Sequence, residues 1–512
     1  MIAADDTVIV NKYSGDYRID VLIPAANARW NADKEVGSAV NVSFSFMSAA
    51  PDYAGDSDKK GFTEFSEEQK VATRAIFKLI SEQFGISFTE VSDSASSYGL
   101  IRLGNNAQGA VSAGYAMYPD LSDTKQAGDV YINNEDTTNL SNIVPGTNAW
   151  ATLVHEIGHA IGLKHPGNYN AGEPASGTPD NFLAKAEDTE ANTVMSYNKA
   201  PQSQEREFFG KYDYLALKYL YGGKAYHADN TTYTLSDSDG QVLKLINDTG
   251  GTDTIDASKL SVAATINLTP GSSSSIGKLA SDTVSLDSLS IAYDSLIENV
   301  IGTNFADTLI GNQANNRFET RGGADSINGG AGFDLVIAAQ AYTGLSVEKS
   351  GEQFLFKDSA AVTVLSVQNV ERVQFNDNKV TAFDSDGNAG QIYRLYQAAF
   401  DRKPDAPGLG YWIADMDKGT PLTTIAAGFF QSAEFQKLYG SNPSINTLIT
   451  NFYKNVLHRE PDQAGFDYWN KEISSGVSTP ASALASFCES AENKAQVLAS
   501  IQNGIHYDLW LG

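Results

Sequence analysis

Cysteine is almost missing from this chain, since its 512 residues include one, Cys488. No disulfide can form within the chain, so its stability must come from hydrophobic cores or bound metals. The lone cysteine is expected to be a small buried apolar residue. Scarcity of cysteine suits both cytosolic and secreted proteins, and the compartment stays open on this evidence.

Basic residues are also scarce, with 36 Lys and Arg against 62 Asp and Glu and a net charge of −26. This balance disfavours nucleic acid and anionic membranes as partners. Two interpretations of the acidity remain. It can serve solubility alone, or it can bind cations such as Ca²⁺, which takes carboxylate and carbonyl oxygens as ligands.

Long apolar runs are absent, and no window approaches the 18 residues that a membrane span needs. The first seven residues lack a basic region followed by an apolar run, so no cleavable signal peptide is predicted. A hydrophobic content of 42% is typical of folded protein. The length predicts about three to five domains.

The most informative segment begins at His155 and ends at His165, and it fits the pattern H-E-x-x-H-x-x-G-x-x-H. His155 and His159 are four residues apart, so on a helix they share one face and can bind one metal. Gly162 lets the chain leave that helix in a left-handed conformation, which returns His165 as a third ligand. Three neutral imidazoles suit Zn²⁺ and leave a position for water, which the Glu156 carboxylate can reach. The alternative is a degenerate site that keeps its ligands without activity.

Residues 1–222 are predicted to form one α/β domain, because alternating apolar runs interleave with helical patterns. A capping box at Ser66–Gln69 starts one helix, and Gly85 ends it. The predicted strands are 40–46, 86–91 and 128–133, and the predicted helices are 66–84, 150–163 and 212–221.

Residues 223–385 are rich in Asp, Asn, Gly, Ser and Thr, and a nine-residue repeat runs from 302 to 337. The pattern G-G-x-G-x-D-x-U-x is typical of a parallel β-roll whose glycine-rich turns bind Ca²⁺. Only the last repeat matches fully, so a β-solenoid with weak or absent calcium at some turns is the alternative. A further calcium site is predicted within 250–256. The candidate calcium residues are Asp253, Asp256, Gly302, Asp307, Gly323, Asp325, Gly329, Gly330, Gly332 and Asp334.

A second repeat, with an offset of 57 residues, fills the C-terminal part of the chain. It divides this part into residues 386–441 and residues 442–512. Each copy is predicted as a helix, an Arg-x-Pro-Asp turn, a Tyr-Trp helix and a further helix. In the first copy Arg402 and Asp405 are interpreted as a structural ion pair, with ligand binding as the alternative.

Thr193–Tyr197 places a methionine, Met195, 30 residues beyond His165. A methionine in a tight turn beneath a trihistidine zinc is the Met-turn of the metzincins. Together with the repeats, the sequence resembles the serralysin family of secreted bacterial zinc proteases over roughly residues 15–385. Other matching segments are 166–172 and 210–222. The resemblance implies a multidomain α+β protein with three parts: a metzincin-type α/β catalytic domain (1–222), a calcium-binding β-roll or β-sandwich domain (223–385), and an all-α repeat domain.

The resemblance also implies a role for each matching residue. Glu156 would be the general base that activates the zinc-bound water and then passes the proton to the leaving amine. Tyr197 would ligate the resting metal and then hydrogen-bond the tetrahedral oxyanion. Met195 would lie under the metal without binding it, and Gly162 would shape the turn. The implied zinc ligands are His155, His159 and His165.

Residues 128–133 resemble the edge strand along which a substrate pairs its backbone. Such pairing contacts main chain more than side chains, so broad specificity is expected. The substrate-binding residues proposed on this basis are Gly128, Val130, Tyr131 and Ile132.

The two helical repeats depart from the family, which usually ends with the β-roll and a secretion signal. They resemble a domain of undefined role, through which a surface or protein partner could bind. Residues 507–512 loosely resemble a type I export signal, and a propeptide is hard to recognise. We expect an extracellular, monomeric protein that is exported without a cleaved N-terminal signal.

Two hypotheses follow for the function. The first is a secreted zinc endopeptidase that hydrolyses extracellular proteins and is stabilised by Ca²⁺. The second is a calcium-dependent binding or adhesion protein with a vestigial protease domain. The intact Glu156 and Tyr197 favour the first, and the helical repeats keep the second open. A third option is that the repeats tether an active protease to a surface.

Overall fold

The computed structural model describes residues 13–24, 28–110, 112–121, 125–169 and 182–512. The N-terminal segment, for which no signal peptide is predicted, and part of the matching segment 166–172 lie outside these residues. The chain packs as two compact units, residues 1–299 and 300–512. The boundaries predicted at 222 and 385 therefore fall inside the units. The strands of 223–299 pack with the first unit, and the C-terminal helices pack with the second.

The first unit begins with a mixed set of helices and strands. Its helices are α1 (Tyr17–Asp20), α2 (Asp56–Lys59), α3 (Glu67–Gln83), α4 (Asn148–Ala160) and α5 (Lys211–Tyr221). Its strands are β1 (Val40–Phe46), β2 (Ile86–Glu90), β3 (Ile101–Asn106), β4 (Gly114–Ala116), β5 (Val130–Asn133), β6 (Glu205–Arg206), β7 (Thr232–Thr234), β8 (Val242–Ile246), β9 (Thr254–Asp256), β10 (Thr265–Asn267), β11 (Ser273–Ser274) and β12 (Leu289–Ile291).

One sheet of the first unit has the strand order β2-β1-β3-β5-β4. The first four strands pair in parallel, and β4 joins β5 antiparallel. All four residues of β5 are buried, as expected for a strand inside a sheet. The prediction that 128–133 is the edge strand is therefore wrong, because β4 covers β5 and itself lies at the edge.

Helix α4 carries the histidine motif. It begins after Thr147, whose hydroxyl accepts a hydrogen bond from the Trp150 backbone N–H at 3.3 Å. It ends at Ala160, three residues before the predicted end. Gly162 has a φ of +105°, and a Cβ there would meet the carbonyl oxygen of Ala28 at 2.3 Å. The predicted left-handed exit at Gly162 is confirmed.

The rest of the first unit is built from short strands. One sheet has the order β11-β12-β8-β6, and β7 pairs in parallel with β9. The hydrophobic core of this unit gathers around α3, α4, α5 and the sheet of β1 to β5. The histidine helix is thus anchored by a continuous apolar core.

The second unit combines strands with helices. Its strands are β13 (Asn299–Ile301, which starts at the last residue of the first unit), β14 (Thr308–Ile310), β15 (Arg317–Glu319), β16 (Asp325–Asn328), β17 (Leu335–Ala338), β18 (Ser346–Ser350), β19 (Gln353–Lys357), β20 (Thr363–Gln368), β21 (Arg372–Phe375), β22 (Lys379–Ala382) and β23 (Ile505–Asp508). Its helices are α6 (Asn388–Phe400), α7 (Ala406–Asp417), α8 (Leu422–Phe430), α9 (Ala433–Tyr439), α10 (Ile445–Val456), α11 (Gln463–Ser474), α12 (Pro480–Cys488) and α13 (Ala491–Ile501).

The nine-residue repeats form parallel strands that pair with every second repeat. Leu309 pairs with Ile327, and Phe318 pairs with Val336. These four side chains are buried, as the inward apolar position of each repeat predicts. The parallel roll inferred from the spacing is therefore present in residues 308–338.

Each C-terminal repeat contains four helices rather than the three that the sequence predicted, because a Ser N-cap at 432 and at 490 starts an extra short helix. Cys488 is buried, as expected. In the described part of the chain, no helix has both the length and the apolar character that a bilayer crossing requires.

Candidate metal centre

The three histidines of the motif converge on one point. The Nε2 atom of His165 lies 2.9 Å from that of His155 and 3.0 Å from that of His159. A tetrahedral zinc with bonds of about 2.0–2.1 Å would hold such nitrogens about 3.3 Å apart, close to these separations. Among the described residues, these three form the sole cluster of His, Cys, Asp or Glu ligand atoms compact enough for a metal.

The outer nitrogens of two of these rings are already committed. His155 Nδ1 donates to the Val194 carbonyl at 2.8 Å, and His159 Nδ1 donates to the Leu163 carbonyl at 2.7 Å. Each Nδ1 therefore carries the proton and each Nε2 has a lone pair facing the common point. Burial lowers the pKa of His155 to about 4 and that of His159 to about 3, so both rings are neutral. The donor set fits zinc.

Glu156 lies beside this cluster in a dry environment. Burial raises the pKa of its carboxyl to about 8. Its Oε2 atom is buried and has no hydrogen-bond partner among the residues that the structure describes. A buried carboxylate oxygen without a partner is costly unless a ligand or proton completes it. The position suits a base that accepts a proton from a water at the metal.

A glycine of the edge strand makes room for this carboxylate. A Cβ on Gly114 would meet Glu156 Cγ at 2.9 Å and Oε1 at 3.0 Å. The close approach of β4 to the α4 helix therefore depends on glycine at position 114. Sequence reasoning missed this residue, because a single glycine in a three-residue strand gives no signal.

Met195 is fully buried beneath the helix, as predicted. A Cβ on Gly158 would meet the Met195 sulfur at 2.8 Å, so this glycine of α4 admits the methionine. The turn is held by Asp213, whose carboxylate accepts from the Thr193 hydroxyl at 2.5 Å and the Val194 N–H at 2.8 Å. Asp213 was not recognised from the sequence.

Tyr197 lies next to the histidines. Its ring centroid is 4.5 Å from that of His165 and 5.9 Å from that of His155, and its side chain is 57% exposed. It also stacks on Tyr169 with a centroid distance of 4.7 Å. An exposed tyrosine at the rim of the cluster can approach a metal or a substrate, which agrees with its predicted place.

A cavity of about 310 Å³ opens beside the cluster. Its walls come from the start of β4, one face of α4 and the segments around the Met-turn and β6. Three acidic and two basic residues face it. The charged lining residues are Glu156, Glu190, Lys199, Glu205 and Arg206.

The four substrate-binding residues proposed from the sequence lie in β5 or just before it. Val130, Tyr131 and Ile132 are buried within the sheet, and Gly128 precedes the strand with a φ of +78°. None of the four lines the cavity, whereas Gly114 of β4 does. The backbone of β4 therefore takes the place that the sequence assigned to β5.

The repeat turns hold their aspartates in buried positions. Asp325 Oδ1 accepts from the Asp307 N–H at 2.9 Å, and Asp334 Oδ1 accepts from the Asn316 N–H at 2.7 Å. Burial raises the pKa of Asp325 and of Asp334 to about 7. Asp334 Oδ2 is buried and lacks a hydrogen-bond partner within the described ranges. Such carboxylate oxygens fit a calcium ion, which would remove their desolvation cost.

The glycines predicted for these turns are required by the backbone conformation and by the close packing of the turns. Gly323, Gly330 and Gly332 have φ values of +87°, +98° and +117°. A Cβ on Gly302 would meet Asp307 Oδ2 at 2.7 Å, and one on Gly329 would meet Asp334 Oδ2 at 2.4 Å. Close approach of the backbone to the carboxylates in these turns therefore depends on glycine.

Asp253 and Asp256 do not share one environment. Burial, together with the nearby charges of Asp248 and Glu298, raises the pKa of Asp253 to about 6. Asp253 Oδ2 has no hydrogen-bond partner in the described structure. Asp256 instead caps a turn, since its Oδ1 accepts from the Ser258 N–H at 2.9 Å. Asp248 and Glu298 were not predicted.

The residues that recur at the 57-residue offset in the two helical repeats make structural contacts. Arg402 pairs with Glu434 at 2.6 Å, and Arg459 pairs with Glu492 at 2.9 Å. Asp405 accepts from the Gly408 N–H and caps α7. Arg402 lies 3.6 Å from Asp405, which agrees with the ion pair interpreted from the sequence.

Comparison with known families divides the chain in three. Residues 1–209 match Metallo-peptidase family M12, and residues 301–336 match the RTX calcium-binding nonapeptide repeat. Residues 384–438 and 426–497 match a domain of unknown function, DUF4214. The first match implies zinc, for which the histidine triad is present, and the second implies calcium.

Three curated relatives illustrate the similarity. Serralysin G of Dickeya chrysanthemi is 30% identical over 58% of this chain and 64% of its own length. Serralysin C of the same organism is 34% identical over 56% and 62%. Serralysin of Photorhabdus laumondii is 32% identical, also over 56% and 62%. The chain thus spans less than two thirds of the length of these relatives. Through its M12 metallopeptidase segment, its RTX repeats and this partial similarity, the chain resembles metalloproteases of the serralysin type.

Proposed function

We propose that this protein is a secreted zinc endopeptidase that hydrolyses extracellular proteins. The observation that carries the proposal is the buried carboxylate of Glu156, whose Oε2 lacks a partner in the described structure, beside three converging imidazoles. A degenerate binding site gains nothing from such a carboxylate, because its burial costs free energy. The alternative of an adhesion protein with a vestigial protease domain is therefore disfavoured.

The residues of the chain divide the chemistry among them. Zinc, when bound by His155, His159 and His165, supplies a Lewis acid that polarises the scissile carbonyl and acidifies water. Glu156 takes a proton from the attacking water and returns it to the leaving nitrogen. The Tyr197 hydroxyl would donate a hydrogen bond to the developing oxyanion.

The substrate backbone would pair with β4 at the edge of the sheet. This strand bonds β5 on one side and has no further strand neighbour among the described residues, so an extended peptide can extend the sheet there. Main-chain pairing accounts for acceptance of many sequences. Peptide chains are accordingly the proposed substrates.

The finer organisation is part of the proposal. We assign a metzincin-type catalytic domain to residues 1–222, a calcium-binding β-roll domain to 223–385, and helical repeats to 386–441 and 442–512. Calcium at the repeat turns fills at extracellular concentrations and would fold the roll after export. The proposed protein is monomeric and is exported without a cleaved N-terminal signal. Its helical repeats would bind a surface or a protein partner.

Casein hydrolysis by the wild-type protein and by Glu156→Ala tests the proposal. Loss of general base catalysis is expected to lower the rate by at least ~10²-fold. The Glu207→Ala variant is a suitable control, since Glu207 lies on the same unit but outside the cavity. Equal turnover by wild type and Glu156→Ala would refute the protease assignment.

A further inference from the structure

The cavity beside the histidine cluster is lined by an unusual set of charges. Glu190 and Glu205 both contact Lys199, whose Nζ lies 3.1 Å from Glu190 Oε1 and 2.8 Å from Glu205 Oε1. One ammonium group is therefore shared between two carboxylates. The balance of these three side chains is one negative charge.

The second basic residue of the lining, Arg206, is bound to the backbone, and its charge acts on Glu190 alongside that of Lys199. The Arg206 guanidinium donates to the backbone carbonyls of Phe208, Glu190, Ala191 and Phe209. It is almost completely buried by these contacts. Its donors are directed at the carbonyls that shape the wall, so little of its hydrogen-bonding capacity is left for a ligand.

Glu190 retains an acceptor that the protein does not use. Its Oε2 atom is buried and has no hydrogen-bond partner in the part of the chain that the structure describes. Burial also raises the pKa of this carboxyl to about 7, although Lys199 opposes the shift. Because Glu190 lines the cavity, a cationic donor bound there would stabilise the charged form of this carboxyl.

Glu156 lines the cavity, and its role indicates which side of the scissile bond faces the cavity. Glu156 must deliver a proton to the leaving nitrogen, so the residue that carries this nitrogen lies over Glu156. Its side chain is then next to the cavity. At about 310 Å³ the cavity falls at the small end of ligand pockets, which suits one side chain.

We propose that this cavity selects a lysine or arginine side chain on the leaving-amine side of the scissile bond, with Glu190 as its acceptor. The inference rests on the proposed peptidase function and adds a substrate preference to it. An acidic side chain at the same position would meet Glu190 and Glu205 and is disfavoured. Backbone pairing along β4 leaves the other substrate positions less restricted.

Internally quenched peptides that differ only in the residue after the scissile bond test the proposal. That residue is Lys, Arg, Gln or Glu, and mass spectrometry of the products confirms the cleaved bond. For the wild-type protein, kcat/KM for the Lys peptide is expected to exceed that for the Glu peptide roughly 10-fold or more, as a charge-assisted hydrogen bond would give.

The variant Glu190→Gln keeps the shape and removes the charge. Its kcat/KM ratio between the Lys and Gln peptides is expected to fall to about one. The matched control Glu207→Gln removes a carboxylate that does not line the cavity and should leave the profile unchanged. Lys199→Gln removes the competing cation and should increase the preference for Lys.

A flat wild-type profile, or a preference that survives in Glu190→Gln, would overturn this inference while leaving the peptidase function intact. Failure of the wild-type protein to cleave any of the peptides would instead overturn the proposed function. If Glu190→Gln does not fold, the wild-type profile and its response to Lys199→Gln still decide.

Discussion

At the scale of single residues, the proposed chemistry depends on contacts between distant parts of the chain. Gly114 admits the Glu156 carboxylate, and Gly158 admits Met195. Asp213 fixes the turn that carries Met195 through three backbone or hydroxyl donors. Each of these residues shapes the site by leaving space or by accepting hydrogen bonds.

Gly114→Ala is expected to lower the hydrolysis rate at least about tenfold, because the new Cβ would lie 2.9 Å from Glu156 Cγ and displace the base. The zinc content should stay near that of wild type, since no histidine moves. Peptide hydrolysis and metal analysis measure the two effects. Full activity in this variant would show that Glu156 tolerates displacement and would contradict its assigned position.

Asp213→Asn is expected to reduce the free energy of unfolding by about 1–3 kcal/mol, because buried donors lose a charged acceptor. Zinc affinity should also fall, since the Val194 carbonyl that orients His155 belongs to the same turn. Denaturant unfolding and zinc titration provide the readouts. Asp282→Asn, at an exposed loop in the same unit, is the control. Unchanged stability and zinc affinity would remove Asp213 from the account.

The sequence predicted the residues whose spacing carries chemistry. His155, His159 and His165 follow a helix and a turn, and a short segment is enough to place them. Asp213 and Gly114 could not be found in this way. The Met-turn donors of Asp213 lie 19 and 20 residues away, the partner of Gly114 is Glu156, and no periodic pattern marks these contacts. Glu190 was missed for the same reason.

At the scale of elements, the sequence predicted where strands lie along the chain but not how they pair in the sheet. The run at 130–133 was correctly predicted as a strand, yet its buried apolar pattern indicates an interior position. The edge strand β4 has three residues, Gly114–Ala116, too few for an alternating pattern. A strand that short is identified by its pairing, which is a property of the fold.

The glycines of the repeat turns are expected to be sensitive to substitution. Gly330→Ala combines a φ of +98° with a Cβ placed 2.3 Å from the Asn312 carbonyl oxygen, and at least about 2 kcal/mol of stability should be lost. Gly344→Ala has a similar φ of +93° but open space, so it isolates the backbone strain. Calcium-dependent melting compares the two. Equal losses in both variants would show that the contact at Gly330 carries no weight.

Calcium and pH are expected to act together on the repeats. Unfolded aspartate titrates near 3.8, whereas burial raises the pKa of Asp325 and Asp334 to about 7. Without calcium the folded state binds more protons between these values, so stability should fall as pH rises through that window. Calcium binds the ionised carboxylates, so its stabilising effect should grow over the same range. Melting with calcium or with a chelator at about pH 5 and about pH 8 measures this. A calcium effect that does not increase with pH would contradict the assignment.

At the scale of the whole molecule, the second unit closes with its own C-terminal strand. β23 pairs antiparallel with β22, and the Tyr507 hydroxyl accepts from Arg372 at 2.8 Å. The helical repeats are therefore framed by a sheet that includes residues from both ends of this unit. The sequence indicated the repeats but not this pairing, since a four-residue strand after eight helices has no local signature.

A chain truncated after residue 385 is expected to be less stable than the full protein, because the edge of β22 loses its partner. Tyr507→Phe removes only the hydroxyl and should lower the free energy of unfolding by about 1 kcal/mol. This variant separates the effect of the Arg372–Tyr507 hydrogen bond from that of strand pairing. Thermal unfolding in calcium compares the three proteins. If truncation leaves melting unchanged, β23 does not stabilise the roll. If truncation instead destabilises the protein, binding assays for a surface partner need full-length variants.

The most direct test of the central claim is a zinc titration of metal-free protein, with bound zinc and peptide hydrolysis measured on the same samples. The account predicts that hydrolysis is absent without metal, rises with zinc and saturates when the cluster of His155, His159 and His165 is filled. Calcium is held constant throughout so that folding of the repeats does not vary. Hydrolysis by the metal-free protein, or a filled histidine site without hydrolysis, would contradict the account.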